Sequence, residues 1–243
     1  MSYLPEFVAI YEIEPYIITA LDDNTIREAL ISYFEHQDAF YSKEDIISIY
    51  GKIENWDTSR VTDMSKLFWI PRTDCYCAFW IFEPEIYHDL NLCYEFNEDI
   101  SKWDVSNVEN MTEMFMDCKK FNTPIGDWDV SKVKDMSGMF FMAENFNQSL
   151  SNWNVSNVKS MSSMFKDACS FSKPIGDWDV SNVKDMNGMF YNDFSFGEDL
   201  NNWKVSPDTD TTEMFDTIYT DEDEDDNEAV HFNFELAKWY KRD

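Results

Sequence analysis

Trp103, Trp128, Trp153, Trp178 and Trp203 stand 25 residues apart, and Phe115, Phe140, Phe165, Phe190 and Phe215 keep the same interval. No insertion disturbs that register. An earlier copy, WDTSRVTDMSKLF at residues 56–68, belongs to the series, with 22 extra residues separating it from the next. A unit of 25 residues is too short to close a core alone, so copies must bury their apolar faces against one another. The chain therefore reads as an α/β repeat solenoid of six coils, the first followed by a long insertion.

Within a coil the apolar places are fixed relative to the Trp. Ile or Leu lies three before it (Ile100, Ile125, Leu150, Ile175, Leu200) and Val two after it (Val105, Val130, Val155, Val180, Val205). The alternation Trp, Asp, Val, Ser has a period of two and predicts a short strand, one per coil, stacked in parallel at about 4.8 Å. Met111, Met114 and Phe115, repeated as Met136, Met139 and Phe140, fit one face of a single helical turn. A second Phe at 96, 121, 146, 171 and 196 precedes a return loop, helped by Pro-Ile-Gly at residues 124–126 and 174–176.

The repeated phrase F-N-x-x-I-x-x-W-D-V-S-x-V-x-x-M-x-x-M-F resembles the repeat of the BspA-like leucine-rich-repeat proteins. The subgroup is the one described from mycoplasma surface lipoproteins and abundant in giant DNA viruses. The match covers residues 56–68 and 96–215. The resemblance implies a leucine-rich-repeat-like, right-handed coil, with no catalytic residues to carry over. It implies surface attachment for secreted members. The first residues, MSYLPEFVAIYEIEPYIITAL, lack a basic start and carry Glu6, Glu12 and Glu14, so neither a signal peptide nor a membrane span is expected. The expected setting is intracellular or a virion.

Charge narrows the partners. Forty-eight Asp and Glu against nineteen Lys and Arg give a formal net charge of -29, which repels nucleic acid and anionic membrane and favours a basic protein partner. Five cysteines, an odd number, provide no disulfide framework.

The flanks divide the chain into three parts. Residues 1–52 read as a helical N-terminal cap, with a capping box at Thr25 and Glu28 opening one helix and Ser42 and Asp45 opening another. Residues 53–215 hold the coils, with the insertion at 69–94. Residues 216–243 contain the acidic run Asp221, Glu222, Asp223, Glu224, Asp225 and Asp226, then an aromatic segment, HFNFELAKWYKRD. The run reads as a solvated linker or a docking site for a basic partner; the segment, as a closing helix or a partner-binding peptide. The aromatic-rich insertion is a recognition surface or a covering of the coils' side.

Candidate chemistry is sparse. Cys75, Cys77, His88 and Cys93 form a zinc-type ligand set, but the spacing is not that of a zinc finger, and buried thiols are the simpler reading. His36, His88 and His231 all lie outside the repeated phrases, which argues against a nucleophilic triad. No cofactor is expected. One outward row remains: Asp57, Asp104, Asp129, Asn154, Asp179 and Lys204, beside Ser59, Ser106, Ser131, Ser156, Ser181 and Ser206. It can be read as turn capping, as a ladder for cations or a partner, or as the carboxylates of a β-helix-type hydrolase. Catalytic sites break symmetry, and this row keeps it. The expected function is a non-enzymatic scaffold for protein–protein interaction; a cation-dependent carbohydrate-binding or adhesive module is the alternative, with the hydrolase behind it.

Overall fold

A computed structural model describes residues 20–34, 39, 41–69, 93–217 and 232–241. In it the copies lie one on the next. Parallel bridges join Asp63 to Asn110, Asn110 to Asp135, Asp135 to Ser160, Ser160 to Asp185 and Asp185 to Asp210. These places fall seven residues after each Trp, not at the Trp-Asp-Val stretch where a strand was expected. That stretch carries no strand, and its backbone shows why. The Trp103 amide donates to the Ile100 carbonyl at 3.1 Å and the Val108 amide to the Val105 carbonyl at 2.9 Å, so the chain reverses on both sides of it.

The expected helical turn is also replaced by turns. The Met114 amide donates to the Met111 carbonyl, Cys118 to Phe115 and Phe121 to Cys118, at 3.2, 3.1 and 2.9 Å. In the first two the third residue, Glu113 or Asp117, has φ of 52° or 61°. A helix cannot continue through that conformation. It turns the Glu113 amide away from its own coil and onto the Ser137 carbonyl of the next, at 2.8 Å. The spacing of three that suggested a helix face is the spacing between the first and last residues of a β-turn. Each such pair is buried.

Those buried ends build the core. Phe115, Phe140, Phe165 and Phe190 stack at centroid distances of 5.5 to 5.7 Å. The second Phe of each coil forms a parallel column, with Phe121, Phe146 and Phe171 at 5.8 and 6.1 Å, and the two columns touch at 3.9 to 4.0 Å. The valines after Trp103, Trp128, Trp153 and Trp178 and the methionine pairs are buried beside them. From Trp103 onward each indole Nε1 donates to the preceding coil's carbonyl three places before that coil's Trp, as in Trp153 to Ile125 at 3.1 Å and Trp178 to Leu150 at 3.0 Å, whereas the Trp56 indole donates to the Gly51 carbonyl. Gly126 and Gly176 answer to close approach, because a Cβ there would lie 2.4 and 2.3 Å from the Ser149 and Asp199 carbonyl oxygens.

The N-terminal side carries α1 (Thr25–Tyr33) and α2 (Lys43–Tyr50). Ser42 and Asp45 form the expected capping box on α2. On α1 the cap is not Thr25 with Glu28. Asp22 does this work, with its Oδ1 accepting the Asn24 and Thr25 amides at 3.1 and 3.0 Å. Thr25 is already inside the helix and its hydroxyl turns back to Asp22, so it cannot also cap the following turn. Among the described residues no helix is long and apolar enough to cross a membrane.

The last described segment is not a closing helix. Residues 234–236 make one tight turn, and the segment as a whole takes up a coil's register. Phe232 stacks on Phe196 and Phe215 at 6.1 and 4.0 Å, Trp239 stacks on Trp203 at 6.0 Å, and the Trp239 indole donates to the Leu200 carbonyl at 2.8 Å. Leu200 lies three before Trp203, so Trp239 occupies the seventh place in the tryptophan ladder.

Candidate functional site

The outward row is held by local hydrogen bonds. A carboxylate or amide oxygen two residues before an amide accepts from it and closes an Asx turn. Asp57 Oδ1 accepts from Ser59, Asp104 from Ser106, Asp129 from Ser131 and Asp179 from Ser181, at 3.0 to 3.1 Å. Asn154 does the same for Ser156 at 3.2 Å. The Ser131 and Ser181 hydroxyls and amides hold the Asp129 and Asp179 carboxyls below the usual range. Both side chains remain exposed, as does Asp104, so the row is charged, outward and fixed in direction.

Two further rows share the device. Asp63, Asn110, Asp135, Asp185 and Asp210, on the bridge positions, accept from the amides two residues on at 2.8 to 3.0 Å. Asp99 and Asp199 cap Ser101 and Asn201 ahead of their tryptophans. A fourth row runs between coils: Asn97 Oδ1 accepts the Asn122 amide, Asn122 Oδ1 the Asn147 amide and Asn147 Oδ1 the Ser172 amide, at 2.8, 2.9 and 3.1 Å. Ten of the 48 acidic side chains thus serve turns that need an acceptor at a set place.

Of the zinc-type set only Cys93 falls among the described residues. Cys75, Cys77 and His88 lie outside the described residues, as do His36, His231 and the acidic residues 221–226. Cys93 is buried in the core, and the Phe96 amide donates to its carbonyl. It stands 25 residues before Cys118, so it opens the column Cys93, Cys118, Ala143, Ala168. The insertion accordingly ends before residue 93, and this thiol is a packing element. Among the described residues no group of three or more His, Cys, Asp or Glu side chains is placed to hold a metal ion. Cys169 is exposed, and desolvation together with the neighbouring Asp193 and Asp167 pushes its thiol up, away from the reactive thiolate.

Asp193 breaks the column. It occupies the next place after Ala168, its Oδ1 accepts the Ser195 amide at 3.1 Å, and its Oδ2 is buried with no hydrogen-bond partner among the described residues. Burial pushes this carboxyl up to about 8.

The edges of the stack are where the repetition ends, and sequence reasoning passed over them. In inner coils the Glu109, Lys134, Lys159 and Lys184 amides donate to the preceding coil at 2.7 to 2.8 Å. The first coil has no preceding coil. There Asp23 Oδ1 accepts the equivalent Thr62 amide at 2.6 Å and the Asp63 amide at 3.0 Å, while its Oδ2 accepts the Thr62 hydroxyl at 2.8 Å. Burial would raise the Asp23 carboxyl, but these three donors hold it low. Arg27 supplies the opposite need, donating to the Ser65 and Asp63 carbonyls at 2.7 and 3.2 Å. The equivalent carbonyls, Thr112 and Asn110, accept from the coil before them. One acid just ahead of α1 and one base on it thus stand in for a missing coil.

At the other end a sequence signal was available. FNFELAKW at residues 232–239 repeats FNEDISKW at residues 96–103, displaced from the 25-residue grid by eleven extra residues. A family model described as "Mycoplasma protein of unknown function, DUF285" matches residues 34–73, 85–153 and 122–239, the last match reaching Trp239. No curated protein and no solved structure matches the chain.

Proposed function

We propose that this chain, which belongs to the DUF285 family of mycoplasma-type repeat proteins, is a non-enzymatic solenoid scaffold of the leucine-rich-repeat kind that binds a basic protein partner. A structural part of a large-virus particle is the setting that the resemblance of its repeat implies. One observation carries the reading. Asp104, Asp129 and Asp179 are exposed and turned to solvent on the 25-residue grid, with Asn154 in the place between the last two, on a frame whose rings stack without a break. Binding to such a surface does not have to order it first, and its exposed carboxylates, with Lys204 the one opposite charge in the row, favour a positive partner. The carboxylates are used as turn caps rather than gathered into a cluster, which favours a surface over a cation site or a catalytic pair.

The test exploits Asn154, which makes the same turn with no charge. In the triple variant Asp104→Asn, Asp129→Asn and Asp179→Asn the turns should persist and the melting temperature should hold, while three charges leave the row. Cross-linking mass spectrometry on the native source identifies the partner and its footprint. The scaffold reading expects cross-links along the coils and at least about fivefold weaker capture by the triple variant. Unchanged capture with a footprint away from the row sinks it.

A further inference from the structure

The two ends of the stack are finished differently. Asp23 and Arg27 close the first coil. At the far end, the fifth coil donates four amides to the sixth: Met186 to the Asp210 carbonyl, Gly188 to Thr212, Phe190 to Met214 and Asn192 to Asp216, at 2.7 to 2.9 Å. The sixth coil repeats the conformation, since Glu213 keeps φ of 55° beside 58° at Gly188, and the Met214 amide closes its turn on the Thr211 carbonyl at 3.2 Å. Yet the Thr211, Glu213 and Phe215 amides and the Thr209 carbonyl have no partner among the described residues. The incomplete seventh coil covers the neighbouring aromatic columns, with Phe232, Phe234 and Tyr240 against the Phe215 ring and Trp239 on Trp203, and it bonds to Leu200 and Asn201, but none of these bonds reaches the amides of residues 211–215. Val205 is only partly buried where the four preceding valines of its column are closed off.

This is a preformed edge: three amides with a period of two, and one acceptor. An edge of this kind pairs with any extended chain that offers alternate carbonyls. Charge selects the occupant. Asp208, Asp210, Glu213 and Asp216 are all exposed on or beside the edge, and residues 205–217 contain no Lys or Arg. A second copy would bring the same acids face to face, and its first coil is already closed. The chain's own residues 221–226 are acidic throughout and are repelled for the same reason.

We infer that the open edge of the sixth coil at residues 209–215 is the docking site for an extended basic segment of another protein, which adds to the stack as a strand. The inference rests on the reading of the chain as a scaffold for a basic partner and gives that partner's peptide a place. The incoming backbone accepts from Thr211, Glu213 and Phe215 and donates to Thr209. Lysine or arginine at alternate positions meets the four carboxylates, and an apolar residue between them covers Val205.

The probe is the heptapeptide Lys-Val-Lys-Val-Lys-Val-Lys, with Glu-Val-Glu-Val-Glu-Val-Glu as control, added to the full chain labelled with nitrogen-15. Amide hydrogen exchange is read residue by residue. In the free chain the Thr211 and Glu213 amides should exchange quickly, while Met186 and Gly188, their bonded equivalents, stay protected. The basic peptide should slow exchange at Thr211, Glu213 and Phe215 by about tenfold or more, and the acidic one should not. Glu213→Lys should weaken binding by about tenfold at low salt without loss of fold, because Lys66 occupies the same place with φ of 52°. Protection confined to residues 221–226 or to the outward aspartate row overturns the edge site and leaves the scaffold reading standing. No binding at all overturns it as well, as does protection of the three amides in the free chain that grows with protein concentration, the mark of a second copy. The scaffold reading itself stands or falls on the aspartate-row variant, which leaves residues 209–215 untouched.

Discussion

Asp193 shows how much a single position can depart from a column and still be held. Cys93, Cys118, Ala143 and Ala168 fill their places with small apolar groups, and all four are closed to solvent. Asp193 brings a carboxyl to the same place, and its pKa rises from 3.8 to about 8. Between these values the native state keeps a proton that the unfolded chain releases, so this residue's contribution to stability falls as pH rises from about 4 to about 8. Asp193→Ala, which copies Ala143 and Ala168, should leave the melting temperature nearly unchanged at pH 4. At pH 9 it should raise it by the equivalent of about 1–2 kcal/mol, or about 2–8 °C. Thermal melts of both proteins at the two pH values decide the matter; equal temperatures at pH 9 would mean that the carboxyl is solvated after all. The repeat marks Asp193 as the odd residue in its column. Only the packing around it reveals the cost.

At the scale of elements, the unit of this protein is the β-turn. Ile100 with Trp103, Val105 with Val108, Met111 with Met114 and Phe115 with Cys118 each open and close one, and of the residues between only Asp117 is buried. A spacing of three between apolar residues is shared by a helix face and by the two ends of a turn, and sequence periodicity does not separate them. Backbone conformation does. Lys66, Glu113 and Ser163 take φ between 52° and 55°, and the amide of each donates to the next coil; Glu213 keeps φ of 55° without that bond. The α1 closure is equally tertiary, because Asp23 and Arg27 lie about 40 residues from the groups they satisfy. In a stack where each coil contacts its neighbours, fraying starts at an end. Asp23→Ala should therefore speed amide exchange at Thr62 and Asp63 while Lys134 and Lys159 stay protected, and Arg27→Ala should cost about 1–3 kcal/mol in denaturant unfolding. Uniform acceleration along all coils would refute the local closure.

At the scale of the molecule, two electrostatic effects set the response to solution conditions. A net charge of -29 repels itself, so raising salt from about 10 mM to about 150 mM should raise the melting temperature by several degrees. A fall instead would mean that ion pairs such as Lys119 with Glu144, at 2.8 Å, outweigh the repulsion. On the acid side the sign reverses. Asp22, Asp23, Asp129, Asp179 and Asp210 are held below the usual carboxylate value by hydrogen bonds, so their contribution is present above about pH 4 and lost as pH falls through their folded values. With Asp193 acting in the opposite direction, stability should peak between about pH 4 and 6. A melting series from pH 2 to 9 checks this, and a maximum at pH 8 or above would contradict it.

The 25-residue interval determined, without coordinates, which residues share a column, that the copies must be buried against one another, and which places face outward. It also contained the signal of the last coil in residues 232–239, hidden by the acidic insertion before it. Tertiary structure alone decided the rest. Whether a spacing of three is helix or turn depends on φ, which the bonds between coils stabilise. The turn-capping carboxylates act locally, but which carboxylate is stranded in the column after Ala168 and which end of the stack is closed depend on neighbours 25 or more residues away. A repeated phrase says what each coil presents to the next; it is silent about the first and last coils, where the next one is missing.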